Sequence, residues 1–322
     1  LKPTLAFFLD YYNESMYPTL KILEEKRLKA LGTLKKTVIV LFCSITLLSF
    51  ILIHNAYLSP LHTSLILGIA GLIIFAVIYH YVKVGYTSLF KDHVIGKIIH
   101  FIDPSLIYTK TGSIDEHEYQ HSELFLEPYD RFFGQDLVSG SIDSVNVRFC
   151  DLHVEKKVHD KDDKEVWQDI FQGLFFRADF NKTFHSKVVV LPDIAEHSFG
   201  ILGSWMQGMN RQRGELIKLD HVEFEKLFVV YGSDQIESRY ILSHALMEKI
   251  VQFRTKIDKP LYLSFVDSSM FLALHYTKPL FEPILLRSLL DFDSIKDYFE
   301  RLSMIIGIVN EFKLNEKLWS KH

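Results

Sequence analysis

Cysteine is nearly absent from this 322-residue chain, which holds two, and proline and glycine are sparse at 9 and 15. Two cysteines exclude a disulfide-stapled scaffold, and so little proline and glycine excludes collagen-like and low-complexity chains. A strong net charge is also missing: 36 Lys+Arg stand against 40 Asp+Glu, a formal balance of -4. Hydrophobic residues make up 48%, which excludes disorder. The most informative absence is local. Residues 37–82 contain no Lys, Arg, Asp or Glu at all.

That uncharged run divides into two apolar segments. One is TVIVLFCSITLLSFILI (37–53) and the other LHTSLILGIAGLIIFAVIYHYV (61–82). A helix needs about 20 apolar residues to cross a hydrocarbon core of about 30 Å, so both are membrane-span candidates, at about 36–54 and 61–82. The short link from His54 to Pro60 makes them a helical hairpin. Residues 1–36 carry seven basic side chains against four acidic ones, whereas the link carries none. The positive-inside rule therefore places both ends in the cytoplasm and the link outside. The first apolar segment lies too far along the chain for a cleaved signal peptide. The remainder, 83–322, has 29 basic and 36 acidic residues. An acidic body argues against nucleic acid as a partner, since phosphate binding needs basic surface. With Cys43 in a span and Cys150 in an expected strand, no disulfide is expected, in keeping with a reducing compartment.

Periodicity organises the rest. Leu5, Phe8, Leu9, Tyr12 and Met16 form one apolar helical stripe, and Pro18 suits the first turn of a second helix carrying Leu20, Leu23, Leu31 and Leu34. This second helix is expected to run directly into the first span, either packing on the protein's own body or forming a self-association stalk. Phe90, Val94, Ile98 and Phe101 predict a short helix. Ser113 and Glu116 read as a capping box for another that runs to Phe125. From Ser139 the period becomes two, predicting strands at 145–150, 170–180 and 187–191, with the charged run 157–165 as a hairpin tip. Both faces of 170–176 are apolar, as in a central strand. A further strand is expected at 224–231, followed by a helix capped by Asp234 and Glu237. A hairpin around Asp267-Ser268-Ser269 and a long amphipathic helix from Ile295 to Phe312 complete the pattern. Runs of strands punctuated by helices indicate an α+β fold with antiparallel sheet. The organisation expected is a helical stalk (1–36), a transmembrane hairpin (37–86) and a cytoplasmic α+β domain (87–322).

Three segments offer chemistry. His117-Glu118-Tyr119-Gln120-His121 is an H-E-x-x-H sequence, which on a helix places two imidazoles on one face for zinc with the glutamate as base. Its charged surroundings (Asp115, Glu116, Glu123), and the lack of a companion motif supplying a third ligand, favour a solvated helix face instead. Gly232-Ser233-Asp234 lacks any phosphate-loop spacing and reads as a helix cap. Residues 192–214 combine four glycines with Trp205, Met206, Met209, Arg211 and Arg213, suited to touching lipid headgroups or a partner protein, or to folding onto the sheet. No catalytic residue, cofactor site or metal site is expected.

Several phrases are more specific: YDRFFGQDLVSG (129–140), IFQGLFFRADFNKTF (170–184), EFEKLFVVYGSDQIESRYILSHALM (223–247), LYLSFVDSSMFLAL (261–274) and LFEP (280–283). Together with YYNESMYPTLKILEEKR (11–27) ahead of a membrane hairpin, they resemble the DUF3137 family, uncharacterised bacterial membrane-anchored proteins. The His pair is not part of the shared pattern. The resemblance implies an inner-membrane protein without an established activity and a LemA-type membrane protein as candidate partner. Its matching positions look structural: Gly134 and Gly173 for tight backbone, Asp136 and Asp179 for turns, Phe175, Phe180, Phe228 and Phe265 for core. Asp234, Glu237 and Arg239 suggest a cap and local ion pair, or an interaction surface. The combined reading is a non-enzymatic, self-associating membrane scaffold, with a zinc-dependent protease or a lipid-sensing module as alternatives.

Overall fold

A computed structural model describes residues 4–54, 59–180, 184–193, 213–276 and 279–314. The chain divides into two units, Leu1–Phe101 with Phe281–Glu300, and Ile102–Leu280 with Arg301–His322.

The first unit is helical. Helix α1 (Leu5–Tyr11) passes through a π-turn (Tyr12–Met16) into α2 (Tyr17–His54). Phe8, Tyr12, Met16 and Leu20 recur every fourth residue, and all four are buried. A strict four-residue spacing drifts around a 3.6-residue helix, and the wider π-turn corrects that drift. The stripe packs on residues 290–299: Phe8 stacks on Phe299 at 4.0 Å, and the Tyr12 hydroxyl donates to the Leu290 carbonyl at 3.1 Å. Lower on α2, Glu24 and Arg27 form a buried pair with contacts of 2.7 and 2.9 Å. Arg27 also donates to the Leu285 carbonyl at 2.9 Å, while Glu24 accepts from Ser288 Oγ and the Leu289 amide, each at 3.0 Å. The stalk residues are therefore bound to the protein's own 285–299 segment.

Helix α2 continues without interruption into the apolar stretch. Helix α3 (Pro60–Phe90) continues through a second π-turn (Lys91–Ile95) into α4 (Gly96–Ile102). The short helix expected around Phe90–Phe101 is thus the end of this long one. Two helices are long and apolar enough to cross a membrane, and their apolar windows are almost wholly exposed. They approach closely at Gly71, where an added Cβ would lie 2.5 Å from Ile45 Cδ1. Small residues at such crossings let apolar helices meet without a hydrophobic driving force between them. Just past the uncharged run, Lys83 pairs with Glu282 at 2.9 Å.

The second unit is built on a nine-stranded antiparallel sheet in the order β1-β2-β3-β4-β9-β8-β5-β7-β6. Strands β1 (Ile107–Thr109), β2 (Arg131–Ile142), β3 (Val145–His159) and β4 (Glu165–Asp179) form a meander. The charged run is the β3–β4 tip, as its composition suggests. Strand β4 is central and is covered on both faces: Phe171, Phe175, Leu174 and Phe176 are all buried. One face packs under helix α5 (Glu116–His121), whose Tyr119 is surrounded by Phe125, Tyr129, Phe132 and Phe175. Cys150 lies in that core, where burial pushes its thiol up to about 12, and both cysteines are free. Strands β5 (Val188–Pro192), β6 (Glu215–Leu216), β7 (Phe228–Gly232), β8 (Leu261–Val266) and β9 (Ser269–His275) complete the sheet. The β8–β9 turn is the two-residue pair Asp267-Ser268, with φ of 46° and 61°, the positive values that match strand twist in a tight hairpin.

Five elements depart from their sequence reading, the first being the helix expected from Ile295 to Phe312, which runs Phe292–Ile306 and, past Gly307, resumes as Ile308–Glu311. Strand β2 begins at Arg131, earlier than the alternation shows, because a bulge between Gln135 and Val138 breaks its period. Helix α5 is capped by Asp115, whose carboxylate accepts the Glu118 amide at 2.8 Å, rather than by Ser113, and it ends at His121. The stretch 224–231 is part helical turn (Val222–Glu225), and its strand starts at Phe228. The helix expected after Asp234 breaks at Leu242 into Gln235–Ile241 and His244–Ile257, because Leu242 leaves helical geometry at φ -84°, ψ 65°.

Replacing Arg27 with Met strands a buried carboxylate, with an expected loss of about 3–5 kcal/mol in a thermal or denaturant melt. A Glu24→Leu/Arg27→Met double variant is expected to lose less than the single one, because no charge is left buried alone. Hydrogen bonding from Arg27 lowers the Glu24 carboxyl below its ordinary range. Glu24 therefore contributes stability above the unfolded carboxyl value and loses it as pH falls through the lower folded value.

Candidate functional site

The H-E-x-x-H helix lies against the sheet with its glutamate facing inward. On the β3–β4 ladder, Arg148 and Arg177 are direct cross-strand partners. Two like charges directly opposite repel, and Glu118 relieves that repulsion by accepting from Arg148 and Arg177, one on each carboxylate oxygen, both at 2.6 Å. A carboxylate held by two guanidinium groups is poorly suited to take a proton from a metal-bound water. His117 and His121 stack with ring centroids 6.0 Å apart, and His121 Nε2 lies 3.3 Å from Asp267. Glu118, expected on a solvated helix face, instead turns to the sheet and clamps the two arginines.

The shared phrases also resolve into structure. Gly134 is packed so closely that a Cβ would strike the Ser113 side chain, and a Cβ at Gly173 would strike the Leu274 carbonyl of neighbouring β9. Asp136 is not in a turn: it is buried within β2 at the bulge, with φ 63°, and accepts from the Tyr108 hydroxyl at 2.5 Å. Asp179 ends β4 opposite Ser269 and accepts from Asn146 at 2.7 Å. Phe228 is buried against Phe224, with ring centroids 4.9 Å apart. Asp234 caps its helix by accepting the Glu237 amide at 2.7 Å. Among the described residues Arg239 pairs with neither Asp234 nor Glu237; it donates to the Lys218 carbonyl at 3.0 and 3.2 Å. Glu237 instead accepts the His185 and Ser186 amides at 2.9 and 2.7 Å, and hydrogen bonding, foremost from the Ser186 side chain and then from these amides, holds its carboxyl below its ordinary range.

Of the loop 192–214, Trp205, Met206, Met209 and Arg211 lie outside the described residues. Arg213 is described, and it differs from a surface contact. It is 5% exposed, and it donates to the Leu124 carbonyl at 2.7 Å and to the Glu123 carbonyl at 3.4 Å.

On the opposite face of the sheet from α5 is a feature that the sequence reading missed. A cavity of about 320 Å³ opens over β2, β3 and β4, lined by Gln135, Asp151, His153, Gln172, Tyr276 and Pro279, among others. Asp151 is 8% exposed, and one carboxylate oxygen accepts the Leu280 amide at 3.0 Å. Burial raises the Tyr276 hydroxyl above its ordinary value. One pleat further along the same face stand Glu155 and, across the ladder, Asp169. The ligand atoms of His153, Glu155 and Asp169 all lie within 4.8 Å of one another. The i, i+2 spacing of His153 and Glu155 was the only trace of this site in the sequence, because Asp169 arrives from another strand.

Two substitutions distinguish clamp from active site. Glu118→Ala leaves two facing arginines and is expected to cost about 1–3 kcal/mol in a melt, whereas His117→Ala stays within about 0.5 kcal/mol. Gly173→Ala sets a methyl against a β9 carbonyl, and a loss of about 2 kcal/mol or more is expected by the same measurement.

Among known proteins, no curated protein matches this chain. The crystal structure of the mycobacterial trehalose monomycolate transport factor A, TtfA, aligns at a TM-score of 0.33 with 9% identity, covering 66% of this chain and 95% of that one. Residues 169–314 match the family model DUF3137, described as a protein of unknown function. The phrases at 170–184, 223–247, 261–274 and 280–283 all lie inside that match, so over this part the chain is similar to the DUF3137 family.

Proposed function

We propose that this protein is a non-enzymatic scaffold of the bacterial inner membrane, anchored by α2 and α3, whose cytoplasmic sheet domain binds a second copy of itself or a partner membrane protein. The observation that carries the reading is an apolar surface on the sheet domain. Ile236 is 82% exposed, and Tyr240, one helical turn away, is also exposed. Gln235 on the same helix donates to the Leu216 carbonyl at 2.9 Å, which brings the exposed Leu216 of edge strand β6 beside them. Exposed large apolar side chains gathered at one place, next to an edge strand, suit a protein contact. The engagement of Glu118 by Arg148 and Arg177 weighs against the zinc-protease alternative. With the basic flank 1–36 and the uncharged link, the positive-inside rule supports two spans with both ends cytoplasmic. The family resemblance makes a LemA-type membrane protein the candidate partner.

Sizing of the detergent-solubilised chain, combined with identification of what co-purifies from native membranes, tests the reading. A particle larger than one chain, or a stoichiometric membrane partner, is expected, and Ile236→Asp is expected to weaken the association by tenfold or more, about 1.4 kcal/mol. A strict monomer with no co-purifying protein overturns it.

A further inference from the structure

We propose that His153, Glu155 and Asp169 bind a divalent transition cation of the Zn2+ or Mn2+ kind at the rim of the sheet cavity. The argument starts from register. Val154 pairs with Phe171, but the next residue, Glu155, pairs with Asp169 and not Ile170. Strand β4 therefore bulges at Ile170. Without that extra residue an apolar side chain would stand opposite Glu155; with it, a second carboxylate does. His153 precedes Glu155 by two residues and so projects from the same face. The bulge thus assembles one imidazole and two carboxylates from three separate positions.

Such a pairing is electrostatically costly by itself, since like charges directly opposite on an antiparallel pair repel. The same ladder carries a second like-charged pair, Arg148 and Arg177, and there the protein supplies its own counter-charge in Glu118. At the carboxylate pair the protein's compensation is weaker. Arg131 approaches Glu155 only at 3.7 Å, and its guanidinium lies over the Trp167 ring, 3.4 Å from the centroid. His153 Nε2 is 2.7 Å from Asp169 and 3.9 Å from Glu155, between both carboxylates. A cation in that position would replace one hydrogen bond by three ligand bonds. Imidazole nitrogen with two carboxylate oxygens suits Zn2+ and Mn2+ better than Ca2+ or Mg2+, which favour all-oxygen sites. Three protein ligands leave coordination positions open, as in catalytic or exchange sites and not closed structural ones. His153 is shared with the cavity wall, where Gln135 and Gln172 also stand, so those positions are accessible to water or a small oxygen-donor molecule.

The test uses the full chain in detergent, stripped with EDTA, and titrated separately with Zn2+ by calorimetry and with Mn2+ by electron paramagnetic resonance. One saturable ion per chain is expected. Asp169→Asn, a change at a half-exposed site that the fold tolerates, and His153→Ala are each expected to weaken binding by about tenfold or more. The His117→Ala/His121→Ala double variant is expected to leave it unchanged. Retained melting behaviour of the Asp169→Asn protein separates lost ligation from lost folding. No saturable binding of either ion overturns the proposal. So does binding that survives both single substitutions, or binding that is lost only with the His117/His121 pair.

Discussion

The second unit depends on the close approach of β4 and β9 at Gly173. Any Cβ there would run into the Leu274 carbonyl, so the strands can pair over Gly173–Asp179 and Ser269–His275 only because residue 173 has no side chain. That pairing joins the meander β1–β4 to β9, β8 and the strands beyond, making one sheet out of two halves. Around that junction β4 is apolar on both faces, with Phe171 and Phe175 buried on one side and Leu174 and Phe176 on the other.

Charged side chains in this protein are used mainly to hold backbone and to neutralise one another. Glu118 bridges two arginines, Arg213 binds two carbonyls, Glu237 collects two amides, and Glu24 with Arg27 fastens the 285–289 segment to the stalk. Buried charges require such partners because the desolvation penalty is otherwise uncompensated. Residues that look chemical in isolation are therefore absorbed into the architecture. The polar groups over the cavity are different in kind, since they converge on open space.

Much of the architecture was legible because it is local. The uncharged run, the stripe Phe8–Leu20, the two-sided apolar pattern of 170–176 and the Asp234 cap all depend on spacings within a few residues. Departures came where one residue breaks a period. Asp136 in left-handed geometry hides the start of β2, and Leu242 splits a helix whose apolar spacing reads as continuous. The family phrases identified important positions but not their roles: Asp136 proved to be a buried bulge residue, and Arg239 a ligand of a carbonyl.

The sequence alone determined the membrane-span candidates, the α+β class and the family resemblance, because hydropathy, periodicity and phrase matching need only the order of residues. Tertiary structure decided which charges are clamps and which face a cavity. His117 and His121 stack on each other while Glu118, between them in sequence, turns to Arg148 and Arg177, whereas His153, Glu155 and Asp169 are brought together by strand register and a single extra residue in β4. Cross-strand neighbours are set by pairing over distances that no local spacing records, so that juxtaposition became visible only in the folded sheet.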